Sequence, residues 1–553
     1  MNNPPEEPAA KAQRRTRTSF KVLAVALAFA PFIAFELGLR AFGVAENNDS
    51  SDPFAGFGSN IPVFERDGEL WRTSAKRMPF LPAQTFPADK PQNGFRVFCF
   101  GGSTVHGRPY EAATAFPRWL ELELSATHPD RNIEAINCGG VSYASYRIVP
   151  MLREILDHSP DLIVVATGHN EFLEDRTYHS LKSRTSVQSW IDNLGHKIRI
   201  VRAGRHLLRG DNARQPQGNP DRDGDFETRL DTENGYESYH RDAEWRARVV
   251  EQFQEAVQTM VDLCAARDTR LLLVNLGSNV RDCPPFKSEH RSDLTAVEES
   301  RWREAFERGS RADTEKSLNH ALEAYRAAEA IDDRHALLHW RIARCLDRLG
   351  QSDRAKEHYL KAKDEDICPL RMFDSLYAFQ TRLAAANNIP LVDARSELER
   401  QCTDGIPGND WYLDHVHPTI GGHQEIARSI AATIHNAGLL PNPIRPWPTE
   451  ERKAAYADQF KRLGPVYLGN GRRRLEWLEG WANRNRLLEE TRPVDARGHL
   501  HAGFRSMDFG ETTRAKASIK RALEIDPAFS KAWARRRQQL TEQGRGDILV
   551  DLP

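Results

Sequence analysis

The chain of 553 residues is short of cysteine, of long apolar runs and of net charge, and each shortage excludes a class of protein. Its seven cysteines show no CxxC or Cys/His metal spacing, which argues against a disulfide framework or a zinc ribbon. Lys and Arg total 77 against 78 Asp and Glu, so the protein does not work mainly by neutralising nucleic-acid phosphates, and no nucleic-acid partner is expected. Only one apolar stretch, near the N-terminus, approaches membrane-spanning length, which excludes a polytopic membrane protein. The phosphate-cradling strings GxxxxGKS/T and GxGxxG and the zinc string HExxH are also missing, so no cofactor and no metal is expected. What remains is a chain long enough for several domains.

The apolar stretch runs from Val22 to Phe35 and reaches the length of a spanning helix only by continuing through Glu36 and Arg40 to Val44. Glu36 and Arg40 are four apart, so they can pair on one helix face near the membrane boundary. Lys11, Arg14, Arg15, Arg17 and Lys21 precede the stretch, and the positive-inside rule leaves residues 1–21 in the cytoplasm with the rest outside. Residues 22–44 are therefore expected to be a single-pass signal anchor in the cytoplasmic membrane. The alternative is a cleaved signal peptide with its small-x-small site at Gly43-Val44-Ala45 and a secreted product.

Residues 45–92, rich in Pro, Asp, Asn and Gly, read as a stalk and irregular lead-in. Short apolar runs then recur at Arg96–Phe100, Ile133–Ile136, Leu162–Ala166, Leu271–Asn275 and Leu391–Asp393, each fit for a strand buried on both faces. Helical patterns fall between them, at Ala115–Leu124, Leu152–His158 and most clearly Trp245–Cys264. Alternation of this kind predicts an α/β domain with a parallel sheet whose ligands bind beyond the carboxyl ends of the strands. A polar, Gly/Asn/Asp-rich stretch over 205–240 reads as a mobile loop or a solvated linker. Ala321, Tyr325 and Ala328 recur 34 residues later as Ala355, Tyr359 and Ala362, the period of tetratricopeptide helix pairs. Gly503, Gly510, Ala515, Ile519, Ala522 and Pro527 repeat the spacing near the C-terminus. These segments resemble tetratricopeptide repeats, a class that commonly binds a protein partner.

Four polar segments, three of them glycine-bearing, hold the chemistry. Gly101-Gly102-Ser103-Thr104 leaves the first strand, Asn137-Cys138-Gly139-Gly140 the second, and Gly168-His169-Asn170-Glu171 the third; Asp414-His415-Val416-His417-Pro418 precedes a helix starting near Gly421–His423. Glycines before Ser103 permit the tight strand-to-helix turn that exposes a side-chain oxygen. Asp414 and His417, three apart, can pair in one turn. His106, His169, His415 and His423 add imidazoles, but Asp-x-x-His is no zinc signature.

In this order FGGST, NCGGVSYASY, GHNEF and DHVHP resemble the four blocks of the SGNH (GDSL-like) hydrolase superfamily, over about 93–290 and 369–437. Gly102 stands where the family string has Asp, and Glu171 where Asp often follows the Asn. The resemblance implies a flavodoxin-like three-layer α/β fold and a triad of Ser103, Asp414 and His417. It also implies an oxyanion hole from the Ser103 N–H, a glycine N–H at Gly139 or Gly140, and the Asn170 amide. The expected organisation is a hydrolase in two parts, 93–290 and 369–437, an all-α repeat insertion over 291–368, and a helical region over 438–553 with a repeat near 496–540. The expected activity is an outward-facing serine esterase removing an O-acyl, plausibly acetyl, group from a small molecule or glycan. Two alternatives stand beside it: an O-acyltransferase acting on envelope polysaccharide, and a repeat-based scaffold with a vestigial hydrolase fold. Cys283 and Cys368 flank the insertion and read either as a bridge closing it or as buried thiols. The stretch from Leu276 to Phe286 reads as a pocket lining or a plain loop.

Overall fold

The computed structural model describes residues 61–182, 237–440, 445–483 and 493–549. By its internal contacts the chain divides into two units, Met1–Asp52 with Tyr178–Asn219 and Pro53–Thr177 with Pro220–Pro553. The expected signal anchor at 22–44 lies outside the described residues, as does nearly all of the 205–240 loop. Among the described residues no helix is long and apolar enough to cross a membrane.

The lead-in is not irregular throughout. Phe64–Asp67 (β1), Leu70–Thr73 (β2) and Thr85–Pro87 (β3) pair antiparallel around a turn in which Gly68 takes φ +62°. Phe64 and Phe86 meet edge to face at 4.8 Å and pack onto Phe98, so the small sheet covers part of the main core. Its strands are only three or four residues long and half exposed, which is why no alternating pattern marks them.

The main sheet has five parallel strands: Gly94–Gly101 (β4), Asn132–Gly139 (β5), Leu162–Ala166 (β6), Arg270–Asn275 (β7) and Leu391–Asp393 (β8), in the order β5-β4-β6-β7-β8. This order reverses direction between β4 and β6, the point where open α/β sheets leave a crevice for ligands. β6, Leu-Ile-Val-Val-Ala, is buried on both faces, each larger side chain contributing about 1.5–3 kcal/mol on leaving water. Ile163 and Val165 face one core, while Leu162, Val164 and Ala166 face the other. Helices Ser145–Ile155, Ala243–Ala266 and Asp374–Ala386 fill the first core, and Phe116–Thr127 and Ile420–Asn436 the second, completing three layers. The helix expected at Leu152–His158 starts earlier, at Ser145, and carries Pro150 inside it. A proline there removes one backbone donor, and Ile148, Met151, Leu152 and Ile155 offset the loss by burying one face.

Between β7 and β8 lie four paired helices, Ala296–Thr314, Leu318–Glu329, Ala336–Arg348 and Ser352–Asp364. Ala321, Tyr325, Ala328, Ala355, Tyr359 and Ala362 are all buried in their shared core. The C-terminal helices Ala496–Asp508 and Thr512–Ile525 repeat the arrangement, with Gly503 so close to Ile519 that a Cβ would lie 2.7 Å from its side chain. A buried contact ties the C-terminal helices to the loop beyond β7: His501 meets Asp282 at 2.8 Å, and Asp282 also accepts the Asn409 N–H at 2.7 Å. All seven cysteines are free thiols, so Cys283 and Cys368 form no bridge.

Candidate active site

Ser103 opens the short helix Ser103–His106 directly beyond β4, where Gly101 and Gly102 make the turn. Neither glycine has room for a side chain. A Cβ on Gly101 would lie 2.1 Å from the Ala166 carbonyl oxygen, and one on Gly102 would lie 2.5 Å from the Asn170 amide nitrogen. Gly102, where the family string has Asp, is therefore the residue that lets Asn170 come alongside the serine.

His417 comes from a tight loop closed by Leu413 N–H to His417 O at 2.8 Å and Thr419 N–H to Trp411 O at 2.8 Å. Asp414 Oδ1 accepts the backbone N–H groups of Val416 and His417 at 2.9 and 2.8 Å, an Asx-type turn that leaves Oδ2 for the imidazole. His417 Nδ1 lies 2.6 Å from Asp414 Oδ2, and His417 Nε2 lies 2.7 Å from Ser103 Oγ. An ionised carboxylate only accepts, so Nδ1 carries the proton and Nε2 accepts from the Ser103 hydroxyl. Burial alone would raise the Asp414 carboxyl, but the His417 and His415 imidazoles and the hydrogen bonds from His417 outweigh it and hold it well below the usual range. It stays ionised through neutral pH.

Four more histidines crowd this base. Burial pushes His415 down to about 4 and His169 and His423 down to about 3, and it lowers His106 with help from Arg108 and Arg474. Neutral rings leave a positive charge developing on His417 without a cationic imidazole neighbour. His169 is also committed structurally, its Nδ1 accepting the Met372 N–H at 3.1 Å.

The second and third segments are cross-linked. Asn170 donates one amide hydrogen to the Tyr143 carbonyl at 3.1 Å, which fixes the amide and leaves its second hydrogen unspent at the cavity it shares with Ser103. Glu171 accepts the Ser145 N–H at 2.9 Å and the Ser145 hydroxyl at 2.8 Å.

Neither glycine expected to donate from the second segment has a spare N–H. That of Gly139 goes to Asn137 Oδ1 at 2.9 Å, and that of Gly140 to the Gly101 carbonyl at 2.9 Å. Val141 N–H goes to Phe80 O at 3.0 Å and Tyr143 N–H to Gly140 O at 3.1 Å. Ser142 stands between them at φ +60°, and its N–H has no acceptor among the described residues. It lines one cavity with Ser103, Asn170 and His417. A serine in a left-handed turn gives no sequence signal, which is why Gly139 and Gly140 drew the expectation.

This cavity is narrow, about 50 Å³, with Val141, Leu173, Leu370 and Val416 among its apolar walls. Trp477 and Leu478 close it from the helix Thr449–Asn483, which breaks at Gly464, φ +69°. The second half of that helix is docked on the segment following Ser103. Tyr467 stacks on Tyr110 at 5.9 Å, and a Cβ on Gly471 would lie 2.2 Å from the Tyr110 ring. The stretch from Leu276 to Phe286 contributes none of the described lining residues; it braces the histidine loop from behind, through Asn279 N–H to His415 O at 3.0 Å. A larger cavity, about 880 Å³, opens between the inserted and C-terminal helices near Trp340, Arg348 and Arg497, away from Ser103.

Residues 336–366 match the tetratricopeptide repeat family. No curated protein matches the chain in sequence. Among solved structures, the chain is similar to an alpha/beta hydrolase enzyme from the metagenome of Lake Arreo, Spain, at 13% identity over 64% of this chain and 99% of that one, with a TM-score of 0.29. It is similar also to a GDSL-like lipase from Bacteroides thetaiotaomicron, at 13% identity over 62% of this chain and 88% of that one, with a TM-score of 0.24.

Proposed function

We propose that this chain is a serine ester hydrolase of the SGNH type that removes a short acyl group, acetyl foremost, from a hydroxyl of a polar acceptor such as a glycan. The observation that carries the reading is the relay Ser103 Oγ, His417, Asp414, with contacts of 2.7 and 2.6 Å, at the reversal point of the sheet. Ser103 Oγ attacks the ester carbonyl as His417 Nε2 takes its proton. The oxyanion is met by the N–H groups of Ser103 and Ser142 and the second amide hydrogen of Asn170. Collapse expels the alkoxide, which takes the proton from His417 and leaves acyl-Ser103. Water, activated by the same imidazole, then releases the acid. No other cofactor enters this scheme.

The narrow apolar walls favour a short acyl chain, since drug-sized pockets run to about 300–1,000 Å³. The same walls restrict water and so favour a second reading, transfer of the acyl group to a sugar hydroxyl in envelope polysaccharide. The Lys/Arg-rich tip before Val22 supports placing the catalytic unit outside a cytoplasmic membrane.

The full-length chain in detergent is expected to hydrolyse p-nitrophenyl acetate with a kcat/KM at least about tenfold above that for the octanoate, because surplus methylenes have no room. Faster turnover of the octanoate would refute the short-acyl assignment. An acceptor glycan that diverts acetyl from water would favour the transferase.

Asn170→Ala is expected to lower kcat about 10²–10³-fold, the cost of one oxyanion donor. Ser142→Gly keeps the backbone N–H and relieves the left-handed strain, so it should retain near wild-type kcat. Both are checked by steady-state kinetics on p-nitrophenyl acetate, and a Ser142→Gly loss equal to that of Asn170→Ala would transfer the role from the N–H to the hydroxyl.

A further inference from the structure

The inserted helices bring together three side chains that the proposed esterase does not use. Glu329 ends the helix Leu318–Glu329, His339 lies in Ala336–Arg348 and His358 in Ser352–Asp364. Among the described residues they are the one set of three His, Cys, Asp or Glu whose ligand atoms converge. His339 Nδ1 and His358 Nδ1 are 3.1 Å apart, and Glu329 Oε1 lies 3.6 Å from the first and 3.9 Å from the second. A triangle of these sides has a point about 2.1 Å from all three corners, the distance at which zinc holds imidazole nitrogen and carboxylate oxygen.

The surroundings orient the donors. His339 Nε2 lies 2.5 Å from the Asp333 carbonyl oxygen, an acceptor only, so Nε2 carries the proton and Nδ1 presents its lone pair. His358 then supplies the single proton that bridges the two Nδ1 atoms in the metal-free state. A cation takes the place of that proton, which His358 recovers on Nε2 through solvent. The His339 side chain is fully buried, while those of His358 and Glu329 are 16% and 21% exposed, so water reaches a fourth coordination position. Lys361, Arg326 and Arg354 lie near the pair, and Lys361 is drawn aside by Asp333 at 3.3 Å.

We propose that Glu329, His339 and His358 form a zinc site that staples three consecutive helices of the insertion. Two imidazoles and one carboxylate suit Zn²⁺ better than Mg²⁺ or Ca²⁺, which favour all-oxygen shells. No string such as HExxH announces it, because each ligand comes from a different helix.

The test uses the full-length protein, stripped with EDTA and titrated with ZnCl₂ against a chromophoric chelator while the melting temperature is followed. One equivalent per chain is expected to bind and to raise Tm. His358→Ala and, separately, Glu329→Gln should each weaken zinc at least about tenfold, since loss of even an outer partner of a ligand costs 10–100-fold. Each should also abolish the zinc-dependent rise in Tm. Metal-free Tm values close to that of the metal-free parent separate lost binding from lost folding. Equal zinc affinity in the parent and both variants, or no bound equivalent in the parent, overturns the proposal.

Discussion

Ser103→Ala and His417→Ala should each lower kcat on p-nitrophenyl acetate by about 10⁶-fold, and the double variant should be no worse than either single one. The two residues act as one device. Without the hydroxyl, His417 has nothing to deprotonate; without the imidazole, the hydroxyl at its ordinary acidity is not a nucleophile. Ser103→Ala removes no packing that holds the sheet, because Ser103 gives up only its 2.7 Å contact to His417 Nε2. Circular-dichroism melts should therefore stay close to that of the parent for Ser103→Ala. Additive losses in the double variant, or residual rates within tenfold of the parent, would mean that hydrolysis runs through other groups.

Asp414→Asn is expected to cost about 10⁴-fold in kcat while leaving the loop folded. The carboxylate makes three hydrogen bonds, Oδ1 with two backbone N–H groups and Oδ2 with His417 Nδ1. Asparagine has only one oxygen. If that oxygen keeps the two N–H groups, the NH₂ faces the imidazole and forces the proton from Nδ1 to Nε2, the atom that must accept from Ser103. The ring is then in the wrong tautomer to serve as base. The lowered pKa of Asp414 means that the parent keeps its carboxylate through the neutral range, so the loss should persist across pH 6–8 in a kcat profile. A variant that recovers parental kcat anywhere in that range would show that Asp414 only positions the loop.

Much of this architecture was legible because it is written in local patterns. β6 and β8 begin and end where the runs Leu162–Ala166 and Leu391–Asp393 do, and β6, buried on both faces, needs unbroken apolar sequence. Ser103, Asp414 and His417, which hydrogen bonds join in one relay, stand at a strand exit or before a helix. What escaped depends on information that no local window carries. β1 to β3 are held by pairing partners and by Phe98 rather than by their own alternation. That the N–H groups of Gly139 and Gly140 are spent while that of Ser142 is not is a property of backbone direction. Trp477 and Leu478 reach the cavity only because the helix after Gly464 docks on Tyr110. Glu329, His339 and His358 converge because three helices stack, and no spacing along the chain reports that.

The measurement that tests the central claim most directly is the site of covalent capture. Full-length protein treated with a fluorophosphonate, digested and sequenced by tandem mass spectrometry should carry one phosphonyl group, on Ser103, with none on Ser142 and none in His417→Ala over the same interval. Labelling of another serine, or of none while ester hydrolysis proceeds, would contradict the assignment of Ser103 as the nucleophile.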